Sequence, residues 1–556
     1  MNVMNKFKYL LAGFVAFFVA ANSSAKETQT GGFSSDMYKL ELAAKIIGTY
    51  YVDTVNEHRM VEDAIVGILN KLDPHSVYIP AEEVKKMNEP LDGNFEGIGV
   101  QYQMMSDTLL VIQTISGGPS EKVGIMAGDR IVSANDTVIA GVNMSTTDIQ
   151  KRLRGPKGTK VVVKVLRRSS KDTLVFNITR DKIPLYSIDA SYMIQPTVGY
   201  IKVNRFSATT HDEFVEAFKK LENKGMKSLV LDLQGNGGGY LNEATKMADE
   251  FLSKDRLVVY TKGNAQPYWE SKTDGNGRFL DGKLVVLVDE SSASASEILS
   301  GAIQDWDRGV IVGRRTFAKG LVQKPVALND GSMMRLTVAR YYTPSGRCIQ
   351  KPYDKGKENY GKDLVERYKR GELTNQDSIS LPDSLKFKTK VLGRTVYGGG
   401  GIMPDVFVPI DTTKYSKYHR ELVAKGVVNK FVLEFVDKNR KILEAQFPTF
   451  DKYMAQYEVS DDDLQYLVKL GEDEKVKLDS AQFDSSKKVM KLQLKALIAR
   501  DLWTTSEYYQ IINQADNSYL KAIEIVNDSK LYNDALGIVS SKNVSSSKAS
   551  KNKKSK

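Results

Sequence analysis

The sequence predicts a multidomain protein built from both α-helices and β-strands. Its 556 residues are enough for several domains, since one domain usually takes about 100–200 residues. The middle of the chain alternates β-branched, strand-like runs with segments of helical periodicity, which indicates a mixed α/β core. Apolar residues recur at helical spacing towards both ends, which predicts N-terminal helices and a helical C-terminal extension. A smaller β-rich module is expected between the first helices and the core.

The first residues have the pattern of a secretory signal, predicted to span residues 1–25. Lys6 and Lys8 form its basic end, residues 9–21 form the apolar centre, and small residues at 23–25 allow cleavage. The apolar run is shorter than the roughly 20 residues that a membrane helix needs, so cleavage is expected rather than a permanent anchor. We therefore expect an exported protein of the periplasm or cell envelope, with membrane association as an open alternative.

The net charge of +11 does not by itself indicate a nucleic-acid-binding protein. Lys6 and Lys8 lie in the predicted signal, and six further lysines with no acid lie in the tail Ser541–Lys556, which leaves only +3 for the folded body. A run of lysine, serine and asparagine is usually a solvated tail, so residues 537–556 are predicted to be disordered. Peripheral contact of this tail with a membrane or cell wall is an alternative, and no nucleic-acid partner is expected.

The segment 33–90 is predicted to be helical, because apolar residues recur there at helical spacing. The turn Asp73-Pro74-His75-Ser76 ends the predicted pair of helices. His75 is a candidate base, although a histidine in a turn after a helix is more often a surface or packing residue.

The stretch 91–181 combines short strand-like runs with glycine turns, among them Phe95-Glu96-Gly97-Ile98-Gly99 and Gly128-Asp129-Arg130-Ile131. The order of these motifs resembles a PDZ domain. The resemblance implies that this PDZ-like module adds a peptide as an extra strand and holds its terminal carboxylate with backbone N–H groups of a glycine loop. Phe95, Gly97, Ile98 and Gly99 occupy the position of that loop. Glycines that merely permit a tight turn are the alternative.

Strands and helices alternate over residues 182–410, which predicts the mixed α/β core. A glycine-rich turn, Gly235–Gly239, follows a strand and lacks the Gly-Lys-Ser/Thr of a phosphate-binding loop. Such a turn can aim backbone N–H groups at an oxyanion. Residues 256–280 are predicted to be an irregular polar excursion that could cap part of the core. Residues 411–536 are predicted to be mostly amphipathic helix. Such helices usually dock on the body of the protein or pair with another subunit, and we favour a homodimer.

The stretch that organises the core is Ser292-Ala293-Ser294-Ala295-Ser296-Glu297, between a strand and a helix. A serine at a helix N-terminus lies where free N–H groups and the helix dipole favour developing negative charge. Ser294-x-x-Glu297 is also a capping box, and most capping boxes only start helices. The motif alone leaves both interpretations open.

A serine nucleophile needs a base, and none of the four histidines lies in the motifs described above. Lysine is a known alternative base. Lys319 follows the next strand among apolar neighbours, which is compatible with the lowered pKa that a neutral lysine requires; a surface lysine is the plainer interpretation. Cys348 is the only cysteine, so no internal disulfide is possible, and we interpret it as structural or incidental.

Together, the signal, the PDZ-like module, Ser-Ala-Ser-Ala-Ser-Glu, Gly-Asn-Gly-Gly-Gly and Phe-x-Lys-Gly-x-Val-Gln resemble the carboxyl-terminal processing (tail-specific) serine peptidases over residues 35–410. The resemblance implies Ser294 as the nucleophile, Lys319 as the base and Gln323 as the residue that orients the lysine. It also implies the backbone N–H groups of Gly238 and Ala295 as the oxyanion hole.

Three positions depart from the family pattern. Ser291 and Ala318 stand where the family often has glycine, and Gln234 replaces a common arginine. None of these changes removes a group that the chemistry needs, but they leave the substrate preference open.

The resemblance implies an exported serine endopeptidase that recognises protein substrates with unstructured C-terminal tails and cleaves them through an acyl-enzyme, without metal or other cofactor. A non-catalytic PDZ-type receptor or chaperone with a degenerate peptidase core is the first alternative. A scaffold that binds the cell wall or membrane through the basic tail is the second. The presence of Ser294, Lys319 and Gln323 favours the enzyme.

Overall fold

The computed structural model describes residues 35–538, with the exception of residues 106 and 169. The predicted signal and almost all of the predicted disordered tail lie outside the described residues. The described part of the chain divides into two compact units, residues 35–68 and 69–538. The first unit contains helix α1 (Ser35–Tyr50) and most of helix α2 (Glu57–Leu72), as the helical periodicity predicts. Within the described part of the chain, we find no helix with the length and apolarity needed to cross a membrane.

In the second unit, a short strand β1 (Val77–Ile79) and helix α3 (Ala81–Asp92) lead into the PDZ-like module. The elements of the module are β2 (Asn94–Gly97), β3 (Val100–Met105), β4 (Thr108–Thr114), α4 (Pro119–Lys122), β5 (Arg130–Ala134), β6 (Thr137–Val138), α5 (Thr146–Leu153), β7 (Lys160–Leu166), β8 (Leu174–Thr179) and β9 (Asp181–Pro184). The antiparallel sheet has the order β3-β4-β5-β7-β8, with β6 added to β5, and β2 pairs with β9. Strand β3 is therefore an edge strand of this sheet.

The core is a six-stranded sheet of order β10-β11-β12-β15-β16-β21. Its strands are β10 (Ile188–Gln195), β11 (Val198–Val203), β12 (Ser228–Asp232), β15 (Lys283–Val288), β16 (Val310–Gly313) and β21 (Val406–Phe407). Strand β10 is antiparallel to β11, and every other pair is parallel. Helices α6 (Thr210–Glu222), α7 (Leu241–Asp249) and α8 (Ala295–Asp305) form the crossovers between the parallel strands. The alternation of strands and helices in the sequence thus predicts this part correctly.

A second sheet lies beside the core, and it corrects one expectation. Residues 256–280 are not irregular, because they contain strands β13 (Leu257–Lys262) and β14 (Trp269–Lys272). The sheet order is β1-β18-β13-β14, and β17 (Leu321–Ala327) also pairs with β18 (Met333–Tyr342). The apolar run at the start of this stretch pairs with β18, about eighty residues later in the chain. Local periodicity carries no signal for such a distant partner.

Both faces of the core sheet are buried, which explains its continuous apolar strands. One face packs against α6, α7 and α8 through residues such as Ile201, Leu231 and Val286. The opposite face contacts the last helices of the chain through residues such as Tyr200 and Val285. The alternation of neighbouring residues between the two faces follows from the twofold side-chain period of a strand.

The C-terminal region is helical, as predicted. After the short pieces α9 (Gly356–Gly361), α10 (Asp363–Lys369), β19 (Lys386–Lys388) and β20 (Thr395–Tyr397) come eight helices: α11 (Lys417–Ala424), α12 (Val427–Gln446), α13 (Phe450–Gln456), α14 (Asp461–Asp473), α15 (Ser480–Leu502), α16 (Thr505–Ile512), α17 (Asn517–Asn527) and α18 (Ser529–Ala535). Helices α11 to α16 share an apolar core of their own. Helices α17 and α18 cover the second face of the core sheet.

Candidate active site

Ser294 lies in the turn between β15 and α8, at the carboxyl end of the parallel strands. This is the edge where open α/β sheets usually bind ligands. Its backbone has φ +54° and ψ −110°, an uncommon conformation for a residue with a side chain. Such a conformation costs about 1–3 kcal/mol and persists only when the surrounding contacts impose it. The serine is therefore held in place by its neighbours rather than by its own preference.

The neighbour that holds Ser294 is Glu297, which is fully buried. Oε2 of Glu297 accepts the backbone N–H of Ser294 at 2.8 Å and the backbone N–H of Lys319 at 2.9 Å. Oε1 accepts the N–H of Ala318 at 2.7 Å and the hydroxyl of Thr316 at 2.5 Å. The hydrogen bond from the Ser294 N–H to Glu297 that the predicted capping box requires is thus present. The same carboxylate also binds the loop that carries the candidate base.

Lys319 lies in the loop between β16 and β17, and its Nζ donates to Oε1 of Gln323 at 3.0 Å. Burial, together with the positive charge of Arg335, lowers the pKa of Lys319, while the carboxylates of Glu297 and Asp73 oppose the shift. The desolvation that a lowered lysine pKa requires is therefore present, alongside nearby charged groups. Ser294 and Lys319 are both described by the structure, and no hydrogen bond joins their side chains. Catalytic hydrogen bonds are often long without substrate and tighten when it binds.

Ala318, directly before the lysine, is buried and has φ +77°. This left-handed backbone conformation favours glycine, since a side chain makes it strained. The conformation explains why glycine is common at this position in the family that the sequence resembles. The hydrogen bond from the Ala318 N–H to Glu297 helps to hold the conformation.

Gln323 connects the lysine to the turn after helix α2. Its Nε2 donates to the backbone carbonyl of His75. Oδ1 of Asp73 holds this turn, because it accepts the N–H of His75 at 2.8 Å and the hydroxyl of Thr337 on β18 at 3.0 Å. The sequence does not predict that the His75 carbonyl positions Gln323 or that Asp73 holds this turn, because a backbone carbonyl that accepts a hydrogen bond leaves no mark in the sequence.

The imidazole of His75 is not placed to act as a base towards Ser294. Its Nε2 forms a hydrogen bond with the hydroxyl of Tyr360 at 2.9 Å. Burial, and then the nearby Lys319, lower the pKa of His75 to about 4. The ring is therefore neutral at physiological pH, and it packs edge-on against Tyr360. The interpretation of His75 as a packing residue describes its side chain correctly.

The glycine-rich turn lies beside the serine, as predicted. A Cβ added to Gly238 would lie 2.8 Å from Cβ of Ser294 and 3.0 Å from the backbone nitrogen of Ala295. Only glycine fits so close an approach. The N–H of Gly238 donates to Oδ1 of Asn236 at 2.8 Å, so in this conformation it is not free for an oxyanion. The N–H of Ala295 has no acceptor among the described residues and lies beside the turn.

The predicted carboxylate-binding loop lies where β2 meets β3. Phe95, Ile98 and Gly99 line a cavity of 130 Å³ between this loop and helix α5, and Arg154 adds a positive charge beside them. Gly97 lies in β2, is buried and does not line this cavity. The N–H groups of Ile98 and Gly99 have no acceptor in the part of the chain that the structure describes. Free backbone donors suit a carboxylate. The guanidinium of Arg154 already pairs with Glu89 at 2.6 Å, so the backbone N–H groups are the candidate carboxylate ligands.

Other candidate chemistries have less support. Burial raises the pKa of the Cys348 thiol, which disfavours the reactive thiolate. Within the described ranges, no group of three or more histidine, cysteine, aspartate or glutamate residues is arranged to hold a metal ion. A serine on a strand–helix turn, joined through Glu297 to the loop of a partly buried lysine, is compatible with a serine peptidase.

Comparison with known proteins identifies the same class. A model of peptidase family S41 matches residues 197–356, and a PDZ domain model matches residues 111–167. The N-terminal domain of the activating protease CtpB matches residues 15–83, and a family of unknown function, DUF8443, matches residues 418–504. The solved structure of a photosystem II D1 C-terminal processing protease is 28% identical and covers 57% of this chain and 90% of that chain, with a TM-score of 0.32.

Two curated relatives from Bacillus subtilis (strain 168) place the chain in a family. Carboxy-terminal processing protease CtpA is 32% identical over 400 residues, which cover 69% of this chain and 84% of CtpA. Carboxy-terminal processing protease CtpB is 35% identical over 321 residues, which cover 57% of this chain and 66% of CtpB, just under two thirds of its length. The chain belongs to the carboxy-terminal processing proteases of peptidase family S41, and the PDZ-like module is its PDZ domain.

Proposed function

We propose that the protein is an exported serine endopeptidase that captures the free C-terminus of a protein substrate in its PDZ domain and cleaves peptide bonds in the extended tail. The observation that carries the proposal is the setting of Lys319. Its side chain is partly buried, desolvation lowers its pKa and its Nζ is held by Gln323. A lysine that is neutral near physiological pH is what a serine nucleophile without histidine requires.

In the proposed reaction, Oγ of Ser294 attacks the scissile carbonyl carbon while Nζ of Lys319 takes the hydroxyl proton. The oxyanion accepts a hydrogen bond from the N–H of Ala295. It accepts a second one from the N–H of Gly238 once that group no longer donates to Asn236. The lysine then gives its proton to the leaving amine as the C–N bond breaks and the acyl-enzyme forms. Water hydrolyses the ester, and Lys319 now acts as base towards that water. Apart from this water, the scheme uses no group from outside the chain and the substrate.

The proposed capture step relies on two features of the PDZ domain. The free N–H groups of Ile98 and Gly99 are suited to the terminal carboxylate. The edge strand β3 begins directly after them and can pair with the rest of the tail. Strand addition accepts only extended chain, so a folded C-terminus would not be a substrate.

The location and assembly of the protein belong to the same proposal. We propose export to the periplasm or cell envelope on the signal pattern of residues 1–25, and a homodimer on the helical ends of the chain. The lysine-rich residues beyond 538 could add peripheral contact with a membrane or cell wall, since they carry charge without acidic neighbours.

The proposal is tested by incubating the purified protein with a protein substrate that ends in an apolar, unstructured tail. We expect cleavage by the wild-type protein and none by Ser294→Ala or Lys319→Ala. Cleavage that survives either substitution would contradict the mechanism, and a wild-type protein that binds the tail without cleaving it would support the non-catalytic receptor. Amidation of the C-terminus of a peptide substrate should slow cleavage; an unchanged rate would refute capture by the PDZ domain.

A further inference from the structure

We infer that helix α12, from the C-terminal helical region, forms an outer binding site for substrate, upstream of the residues that the PDZ domain holds. The inference rests on the proposed capture of a C-terminal tail along β3. Its occupant is the tail segment that enters the groove before the terminal residues. The site assigns a role to part of the region that matches a family of unknown function.

Two cavities lie end to end along the same strand. The first, of 130 Å³, lies beside the carboxylate-binding loop and reaches Tyr102 on β3. The second, of 410 Å³, begins at Tyr102, continues to Met105 and is closed on its far side by α12. Helix α5 contributes to both cavities, through Leu153 at the first and Thr146, at its opposite end, at the second. The two cavities therefore belong to one cleft between β3 and α5.

The direction of a bound tail follows from the strand geometry. A peptide that is antiparallel to β3, with its carboxylate at Ile98 and Gly99, runs from Met105 towards Val100. Strand residues advance about 3.3 Å each, so the six residues of β3 pair with about six peptide residues. The second cavity, from Tyr102 to Met105, then faces roughly the third to the sixth residue counted from the C-terminus.

The chemistry of the second cavity suits an extended peptide with an apolar side chain. Met104, Met105 and Leu433 supply apolar surface, while Asn429 and Lys430 supply polar groups at the side of α12. The charge of Lys430 is paired with Glu474 at 3.0 Å, so the site is not simply a basic patch.

One polar group in the cleft has no partner. The hydroxyl of Tyr102 is buried and forms no hydrogen bond with any described residue, although Tyr102 lines both cavities. A buried hydroxyl without a partner costs free energy. A peptide that passes along β3 brings backbone and side-chain groups to this position.

Helix α12 is fixed to the PDZ domain through Asp437 and Leu433. The carboxylate of Asp437, with only 3% of its side chain exposed, pairs with Arg130 at 2.6 Å and with Arg168 at 2.7 Å. Leu433 packs against Leu110 and Ile112 of β4. Because α12 is held in this way, its cavity side forms a fixed wall of the groove.

The test uses the full-length chain carrying Ser294→Ala, so that bound peptides stay intact, and measures binding by fluorescence anisotropy. One labelled peptide has three residues, which end at Tyr102; the other has ten, ends in the same three and carries leucines at the positions that face the second cavity. We expect the longer peptide to bind about tenfold more tightly, as burial of one apolar side chain predicts. The added substitution Asn429→Trp, at an exposed position on α12, should fill the cavity and remove this advantage while binding of the short peptide is unchanged.

The matched control is Lys441→Trp, at an exposed position of the same helix away from the cavity, which should keep the tenfold advantage. An advantage that persists in Asn429→Trp would overturn the inference and leave capture by the PDZ domain intact. Equal affinity of the two peptides for the unsubstituted groove would overturn it as well. Failure of both peptides to bind would refute the proposed capture, and the outer site with it.

Discussion

The carboxylate of Glu297 accepts the backbone N–H of Lys319 at 2.9 Å, on the same oxygen that accepts the N–H of Ser294. One buried side chain thus sets the distance between the turn of the proposed nucleophile and the loop of the proposed base. Burial raises the pKa of Glu297, and the hydrogen bonds it accepts act in the opposite direction. A residue that sequence patterns classify as a helix cap therefore joins the two halves of the site.

Replacement of Glu297 is expected to damage both stability and catalysis. In Glu297→Gln, one acceptor oxygen becomes an NH₂ group facing N–H donors, which leaves buried donors unsatisfied. We expect the free energy of unfolding to fall by about 3 kcal/mol. We also expect kcat to fall about a hundredfold, since Ser294 and Lys319 lose their common anchor. Chemical denaturation and peptide cleavage measure the two effects. The control Glu222→Gln, at an exposed position, should change neither, and a wild-type kcat in Glu297→Gln would contradict the anchoring role.

The glycine turn offers a matched pair of substitutions. Gly238→Ala would place a Cβ 2.7 Å from the carbonyl oxygen of Ala293 and 2.8 Å from Cβ of Ser294, so the serine turn must shift. We expect about a hundredfold loss of kcat. Gly237→Ala meets nothing within 4 Å and has no left-handed backbone, so its activity should stay near that of the wild type. Equal activities of the two variants, measured on one peptide, would show that the close approach of this turn to Ser294 has no catalytic importance.

The pH dependence of cleavage should respond to Arg335. The positive charge of Arg335 lowers the pKa of Lys319, so its removal in Arg335→Gln raises that pKa. Because the base acts in its neutral form, the rising limb of kcat/KM with pH should move to higher pH. Arg340→Gln removes an equal charge from the same strand and does not figure among the groups that shift Lys319, so its profile should stay in place. A limb that moves to lower pH in Arg335→Gln would contradict the assignment of the lysine as base.

The turn at His75 should affect the rate of reaction more than substrate binding. Asp73→Asn weakens the hydrogen bonds that hold this turn against Thr337, and the His75 carbonyl then positions Gln323 less well. We expect kcat to fall at least about tenfold with KM nearly unchanged, because Gln323 then orients Lys319 less well. Removal of the Asp73 charge also lowers the pKa of Lys319, so kcat is compared on the pH plateau of both proteins, where the lysine is neutral. Asp354→Asn, at an exposed position, serves as the control in the same steady-state assay. A change confined to KM would argue against the positioning role.

The extent of prediction from sequence differs between the parts of this site. Strand, serine turn and helix are local patterns, so the elements around Ser294 can be predicted from periodicity and composition, whereas its role as nucleophile is implied only by the family resemblance. The apolar neighbours of Lys319 are compatible with its partial burial but do not by themselves predict it. Gln323 contacts the carbonyl of a residue 248 positions earlier in the chain, and a backbone carbonyl looks the same at every residue. That contact therefore cannot be predicted from the sequence.

The second sheet and the packing of α12 on the PDZ domain cannot be predicted from the sequence for the same reason. Strands β13 and β18 pair across some eighty residues, and α12 contacts the PDZ domain through Arg130 and Asp437, which are 307 positions apart. Periodicity reports which face of an element is apolar, but it does not report which distant element covers that face. The prediction of an irregular excursion at 256–280 failed on this point.

The most direct test of the Ser294–Lys319 mechanism is to trap the acyl-enzyme. A peptide substrate is mixed with the protein, the reaction is quenched in acid within its first turnover, and mass spectrometry of the digested protein locates the acyl group. We predict an acyl group on Ser294 in the wild-type protein, and formation at least about a hundredfold slower in Lys319→Ala. An acyl group on another residue, or equally fast formation in Lys319→Ala, would contradict the mechanism.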